Sequence, residues 1–171
     1  MDLNQFIRDI PDFPKPGIVF KDITPLLASP QALRYSITCL ANAVSGHRID
    51  VVAGIESRGF IFGVPVAREL GVGFVPIRKP GKLPWKTSRV EYVLEYGTDS
   101  IEIHQDAVRS GDRVLIVDDL LATGGTMAAS IELIESSGGM VVACAVVIEL
   151  AFLGGRKKAG DKDLYSLISY D

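Results

Sequence analysis

The sequence predicts an α/β fold: a central parallel β-sheet flanked by helices. Three observations carry that expectation. Two stretches read strand, helix, strand in succession; the runs VLIV and VVACAVVI are apolar at every position, as strands covered on both faces must be; and a small polar motif, DDLLATGGT, stands where an apolar run gives way to a helix. With 171 residues, 47% of them hydrophobic, a single domain spanning 1–171 can bury its core without disulfide or metal.

In chain order, MDLNQFIRDI has neither the basic start nor the apolar run of a secretory leader. IDVVAGI (49–55) is expected as a strand, RGFIFGVPVAREL (58–70) as a helix and VGFVPI (72–77) as a second strand, which makes one βαβ unit. Residues 78–112 then leave the sheet. Their first part holds Pro80, Gly81 and Pro84 among five basic residues between Arg78 and Arg89, a cationic loop expected to be mobile. Their second part, VEYVLEYG followed by SIEIH, is expected as an antiparallel hairpin turning at Gly97, Thr98 and Asp99. A basic excursion of this kind suits a flexible lid over an anion. RVLIVDD (113–119), a helix from about Thr126 to Ser136, a stop at Ser136, Ser137, Gly138 and Gly139, and MVVACAVVIEL (140–150) form the second βαβ unit. The motif then lies directly after the strand 113–117, at the carboxyl end where open parallel sheets bind ligands.

Several function classes are disfavoured. A net charge of -3 argues against a nucleic-acid-binding surface, which needs clustered Lys and Arg. The longest apolar stretch, VVACAVVIELAFL, is interrupted by Glu149 and is shorter than the ~18 residues of a membrane span, so a soluble cytoplasmic protein is expected. Cys39 and Cys144 lie far apart in apolar settings without CxxC spacing and read as reduced core residues. His47 and His104 receive no role.

The polar motif points to a specific chemistry. Inward-turned backbone N–H groups at a tight turn, followed by a helix N-terminus, bind anions, and glycine lets the main chain approach phosphate oxygens. ATGGT (122–126) has that character, with hydroxyl donors at Thr123 and Thr126. Asp118 and Asp119, read as two ionised carboxylates, would repel phosphate but accept hydrogen bonds from a vicinal diol. Phosphate beside diol is ribose 5-phosphate. Competing motifs fail: Gly81-Lys82 is followed by Leu83 rather than Ser or Thr, and GVGFVP breaks a dinucleotide fingerprint at Pro76.

VLIVDDLLATGGT resembles the phosphoribosyl pyrophosphate (PRPP) signature of the type I phosphoribosyltransferases, and DDLLATGGT resembles the adenine-specific branch. FPKPGIVFKDITPLL (13–27), AGIESRGFIFG (53–63), RKPGKLP (78–84), LEYG (94–97) and IELAFLGGR (148–156) extend the resemblance over nearly the whole chain. It implies the type I fold with a small N-terminal hood at about 1–28 and a β-hairpin lid at about 78–104. It implies that Asp118 and Asp119 hold the ribose hydroxyls while Ala122, Thr123, Gly124, Gly125 and Thr126 cradle the 5-phosphate. Ser57, Arg58, Arg78, Lys79 and Lys82 are then pyrophosphate contacts. Phe20 and Leu120 pack on the two faces of adenine, and main-chain groups of Val19 and Lys21 read its edge. Glu95 and Tyr96, with Arg58, are the expected catalytic residues. Related oxopurine enzymes have an acid where this chain has Ala122, which moves proton handling to Glu95. Trp85 is expected to pack when the lid closes.

The activity implied is transfer of the phosphoribosyl group from PRPP to adenine, giving AMP and pyrophosphate for purine salvage. Mg²⁺ is expected to arrive on PRPP with no protein cage of its own, since it favours phosphate oxygens and retained waters. The resemblance also implies a homodimer, for which FIFGVPVAREL supplies apolar residues. Two alternatives stand beside this reading: a xanthine or other purine phosphoribosyltransferase, and a PRPP-sensing regulator on the same fold.

Overall fold

The computed structural model describes residues 1–93 and 98–171. Five strands, β3 (Val51–Ile55), β4 (Gly73–Ile77), β7 (Arg113–Leu121), β8 (Met140–Leu150) and β9 (Asp163–Tyr170), form a wholly parallel sheet in the order β4-β3-β7-β8-β9. The sheet sits between two apolar layers. Along β7 the side chains alternate: Val114 and Ile116 pack with Ile131, Leu133 and Ile134 of α4 (Gly125–Ser136). Leu115 and Val117 pack on the opposite face with Leu40 of α2 (Pro30–Ala43) and Phe62 and Val66 of α3 (Gly59–Leu70). Burial on both faces is why these strands are apolar throughout rather than at alternate positions.

Helix α2 begins where the Ser29 side chain accepts a hydrogen bond from Ala32 N–H and Pro30 supplies a preset first turn. Asp50, one residue before β3, accepts from Arg113 N–H, Nε and Nη2 at 3.0, 2.8 and 2.8 Å. This ties the starts of β3 and β7 and holds the Asp50 carboxyl well below its ordinary range. The N-terminal segment contributes an antiparallel ribbon, β1 (Arg8–Pro11) with β2 (Val19–Asp22), and the short helix α1 (Thr24–Ala28). Leu3, Ile23 and Leu26 join the layer of α2 and α3.

A separate antiparallel pair, β5 (Thr87–Val93) with β6 (Thr98–His104), lies against the α4 side of the sheet, with Ile101 and Ile103 buried there. A two-way backbone exchange between Arg78 and Glu102, at 2.9 and 2.7 Å, joins β6 to the end of β4. Among the described residues, no helix is long and apolar enough to cross a membrane. Cys144 is buried, which pushes its thiol up to about 12, and Cys39 is half-buried; both are free thiols.

Both expected βαβ units are present, with three corrections. The strand read as 113–117 or 113–119 continues to Leu121, because Leu120 and Leu121 stay in register with Ile148 and Glu149 of β8. Asp118 and Asp119 are therefore strand residues, and the loop proper is Ala122–Gly124. Thr98 and Asp99 are not turn residues: they pair with Val93 and Tyr92. The strand expected at 49–55 starts only at Val51, since Asp50 is engaged by Arg113. The ribbon β1–β2, α2 and the edge strand β9 are elements that the pattern reading did not delimit.

Candidate active site

The carboxyl ends of β3, β4 and β7 converge on two adjoining cavities. One, of about 150 Å³, is lined by Glu56, Ser57 and Arg58 after β3, Lys79 after β4, Ile101 of β6, Asp118, Asp119 and Leu120 of β7, and Thr126 of α4. The other, of about 90 Å³, is enclosed by Asp118 and the run from Leu120 to Met127. They share Asp118, Leu120 and Thr126, so a ligand can lie across both. The topology thus brings together residues that are far apart in sequence.

The smaller cavity is built from a tight turn. Gly124 has φ of +77° and caps α4 with no side-chain acceptor, leaving the first amides of a twelve-residue helix for an external anion. A Cβ on Gly124 would collide with the carbonyl of Gly155, so the position requires glycine for conformation and for space. Thr126 Oγ1 donates to the Tyr92 hydroxyl at 3.3 Å, linking this turn to β5. Ala122 and Thr123 are half-buried beside it.

Asp118, half-buried, and Asp119, buried, lie near the carboxyl end of β7, two rungs before it ends at Leu121. Asp119 N–H donates to Asp118 Oδ1 at 2.9 Å. Asp119 Oδ2 lies 2.8 Å from Arg58 Nε, an ionic approach without the alignment of a hydrogen bond, and that oxygen is buried without any hydrogen-bond partner among the described residues. Burial raises both carboxyls above their ordinary range. For Asp118 the charge of Asp119 adds to it and the rise is large; for Asp119 the Arg58 guanidinium partly offsets it. The two carboxyls are thus desolvated and adjacent, and a ligand donating two hydroxyl protons would relieve them. The Arg58 guanidinium also stands 5.4 Å over the ring of Phe20, which joins the aspartate pair to the N-terminal ribbon.

The basic loop meets carboxylates that the sequence reading missed. Arg78 Nε and Lys79 N–H both donate to Glu56 Oε2, at 3.0 and 2.9 Å. Burial would raise the Glu56 carboxyl, but these donors outweigh it and hold the group below its ordinary range. The Lys79 ammonium pairs with Asp99 and reaches the Tyr92 hydroxyl at 3.3 Å, while that hydroxyl donates to Asp99 at 3.2 Å. Desolvation opposes the Lys79 charge, and Asp99 and Tyr92 more than restore it. Ser57 and Lys82 are exposed. Glu56 could have been suspected from its place beside Ser57-Arg58; Asp99 and Tyr92 carry no local signal. Trp85 is 53% exposed, its ring edge-on to His104 at 6.3 Å.

On the ribbon, Phe20 is half-buried and edge-on to Phe13 at 5.3 Å, and Leu120 is half-buried on β7. Lys21 Nζ is held by Asp9 at 2.7 Å and lies 3.8 Å over the Tyr170 ring, so its side chain is already engaged. Val19 faces Pro11 in the ribbon. Because proline has no N–H, β1 offers the Val19 carbonyl no ladder donor. Glu95 and Tyr96, expected in catalysis, and Gly97 lie outside the described residues.

The comparisons with known proteins agree with the fold. A family described as the phosphoribosyl transferase domain matches residues 23–170. The chain is similar to the adenine phosphoribosyltransferase of Cyanothece sp., with 60% identity over 170 residues covering 99% of this chain and 100% of the relative. It is similar to the crystal structure of adenine phosphoribosyltransferase from Thermoanaerobacter pseudethanolicus, with 59% identity, a TM-score of 0.96 and 98% of each chain covered. The Saccharomyces cerevisiae enzyme of the same name, solved with adenine and an imino-altritol bisphosphate, shares 41% identity at a TM-score of 0.90, with 96% of each chain covered. Matched over nearly its full length, the chain belongs to the phosphoribosyltransferase family, among the adenine phosphoribosyltransferases.

Proposed function

We propose that this chain transfers the 5-phosphoribosyl group of PRPP to adenine, forming AMP and pyrophosphate in purine salvage. The observation that carries the reading is the continuity of Asp118–Asp119 with the Ala122–Thr126 turn across two adjoining cavities; in this reading the ribose hydroxyls lie on the carboxylates and the 5-phosphate on the helix amides. Incubation with PRPP, Mg²⁺ and adenine should release AMP and pyrophosphate in equal amounts; absence of AMP overturns the proposal.

In the reaction a ring nitrogen of adenine forms a bond to the anomeric carbon, the bond from that carbon to the pyrophosphate oxygen breaks, and its electron pair leaves with pyrophosphate. Positive charge builds on the ribose and negative charge on the leaving group. Ser57, Arg58, Arg78, Lys79 and Lys82 surround the leaving group in this reading, and closure of the basic loop and hairpin (about 78–104) excludes water that would hydrolyse PRPP. Phe20 and Leu120 sandwich the base. A Val19 carbonyl free of β1 accepts from the 6-amino group, whereas a 6-oxopurine presents an acceptor there. Glu95, with Tyr96, manages the imidazole proton released as the new bond forms.

The larger cavity sets the carboxylate and hydroxyl oxygens of Glu56, Ser57, Asp118, Asp119 and Thr126 beside the cations Arg58 and Lys79, with no imidazole or thiol, a donor set that suits a hydrated hard cation when the diphosphate carries it. Mg²⁺ bound there supplies charge neutralisation of the leaving group; among the described residues no cluster of three His, Cys, Asp or Glu is placed to hold a metal alone. Exposed Ile61 and Val64 on α3, beside a groove lined by Leu33, Ile37 and Pro65, support the homodimer expected from the family. Cytoplasmic location is proposed with the salvage role.

Glu95→Gln is expected to lower kcat by about 10²- to 10³-fold, the range of a lost general acid–base group, with KM for PRPP changed less than about threefold. Unchanged kcat in steady-state assays would remove Glu95 from the chemistry.

A further inference from the structure

The strand β8 does not end at the sheet margin without purpose. After Leu150 the chain makes two short 3₁₀ turns, Ala151–Leu153 and Gly155–Ala159, before β9. The second is clamped from both sides. Arg156 Nε donates to Glu149 Oε1 at 2.9 Å, its Nη2 pairs with Glu149 Oε2, and its Nη1 donates to the Leu164 carbonyl at 2.6 Å. Ser166 Oγ donates to Glu149 Oε2 at 2.8 Å. Glu149 is only 5% exposed, and the Arg156 guanidinium holds its carboxyl below the ordinary range. A planar fork thus fixes one turn to β8 and β9 at once.

What that turn touches is the anion loop. Gly155 has its backbone directly against the Ala122 carbonyl and 124 amide: a Cβ there would overlap the Ala122 oxygen and sit 2.8 Å from Gly124 N. The contact is reciprocal, since a Cβ on Gly124 would meet the Gly155 carbonyl. On the far side, Ala159 is buried in the same layer as α4. The loop that would receive phosphate therefore rests on a second loop, and that second loop is held in place by an ion pair whose carboxylate is buried and whose guanidinium side chain is about half exposed.

We propose that Gly155 and Arg156, with Glu149, are positioning residues for the 5-phosphate site: the clamp sets the Ala122–Gly124 turn so that its amides converge on one point. This rests on the phosphoribosyl reading of the loop. None of the three touches substrate. Backbone amides cannot be placed by their own side chains, so a preformed anion site needs such an external support. Loosening it should weaken every ligand that carries a 5-phosphate while sparing the base site, a selectivity that general destabilisation would not produce.

The test is isothermal titration of the full chain with ribose 5-phosphate and, separately, with adenine, alongside steady-state kinetics. Gly155→Ala and Arg156→Lys are compared with wild type, the second variant keeping charge while losing the fork. Both are expected to bind ribose 5-phosphate roughly 10- to 100-fold more weakly and to raise KM for PRPP similarly, with adenine affinity and kcat within about threefold. If wild type binds ribose 5-phosphate and either folded variant binds it equally well, the positioning role is overturned. Parallel losses for adenine and ribose 5-phosphate would also overturn it, as a merely structural effect. If wild type itself does not bind ribose 5-phosphate, the phosphoribosyl reading of the loop fails, and the positioning role with it.

Discussion

Asp118→Asn is expected to lower kcat/KM for PRPP by roughly 10²-fold and, in the same protein, to raise the melting temperature of the ligand-free chain. The first effect follows from losing a charged acceptor for a ribose hydroxyl, worth about 1.5–3 kcal/mol. The second follows from desolvation and from the neighbouring charge of Asp119, which both penalise the Asp118 carboxylate. Asparagine keeps the oxygen that accepts from Asp119 N–H and drops the charge. A gain of about 1 kcal/mol would raise the melting temperature by roughly 2–4 °C in a domain of this size.

The pH dependence follows from the raised carboxyl. Between the ordinary value of 3.8 and the higher native one, the folded chain binds more protons than the unfolded chain, so stability falls as pH rises. Above the native value the penalty is complete. Melts of wild type and variant should therefore coincide most closely in acid and separate as pH rises, with the variant the more stable. A difference that is flat with pH, or that favours wild type, contradicts the assignment.

Arg58→Ala is expected to act in the opposite sense on stability while costing more activity. Arg58 is the ionic partner of an Asp119 carboxylate that is 3% exposed, and removing it leaves that charge buried and unpaired. A fully buried pair broken this way costs about 3–5 kcal/mol; partial exposure of Arg58 reduces the expectation to about 1–3 kcal/mol. Without Arg58 the Asp119 carboxyl is raised further, so the deficit grows as pH rises through the carboxylate range and shrinks once Asp119 is protonated in both proteins. Turnover should fall by roughly 10³-fold, because one change removes a leaving-group cation and releases the diol pair. Arg58→Lys should recover stability more than activity, since a point charge replaces the fork. Thermal melts from acid to neutral pH, paired with kinetics, separate the two effects; a deficit that does not depend on pH would contradict the buried-charge account.

The two βαβ units were legible because their strands are uninterrupted apolar runs bounded by glycine and polar stops. The end of β7 was not: aspartate is disfavoured in strands, so Asp118 and Asp119 look like loop, yet pairing of Leu120 and Leu121 with β8 carries the strand past them. Helix α2, PQALRYSITCLANA, has a polar residue, Ser36, fully buried among Ala32, Leu40 and Ala41, which blurs its period. Asp118, Asp119 and the Ala122–Thr126 turn could be singled out because one contiguous motif holds them, and the fold sets them around adjoining cavities. Tyr92, Asp99 and the Gly155–Arg156 support could not, since each acts on a partner brought near only by the fold: Lys79 meets Asp99 from twenty residues away, and Gly155, after β8, meets Ala122, after the neighbouring β7. The raised carboxyls of the diol pair were equally hidden, because desolvation is a property of the assembled cavity.

The central claim is that this site joins a phosphoribosyl group to adenine and discriminates against 6-oxopurines through backbone groups of the β2 ribbon. Its most direct test is a competition assay with purified protein, Mg²⁺, PRPP and equal concentrations of adenine, hypoxanthine, guanine and orotate, with each nucleotide product quantified. The account predicts AMP as the dominant product, with kcat/KM for adenine at least about 10²-fold above that for any other base, the scale set by mismatched buried hydrogen-bonding groups. Equal or greater conversion of hypoxanthine or guanine would contradict it.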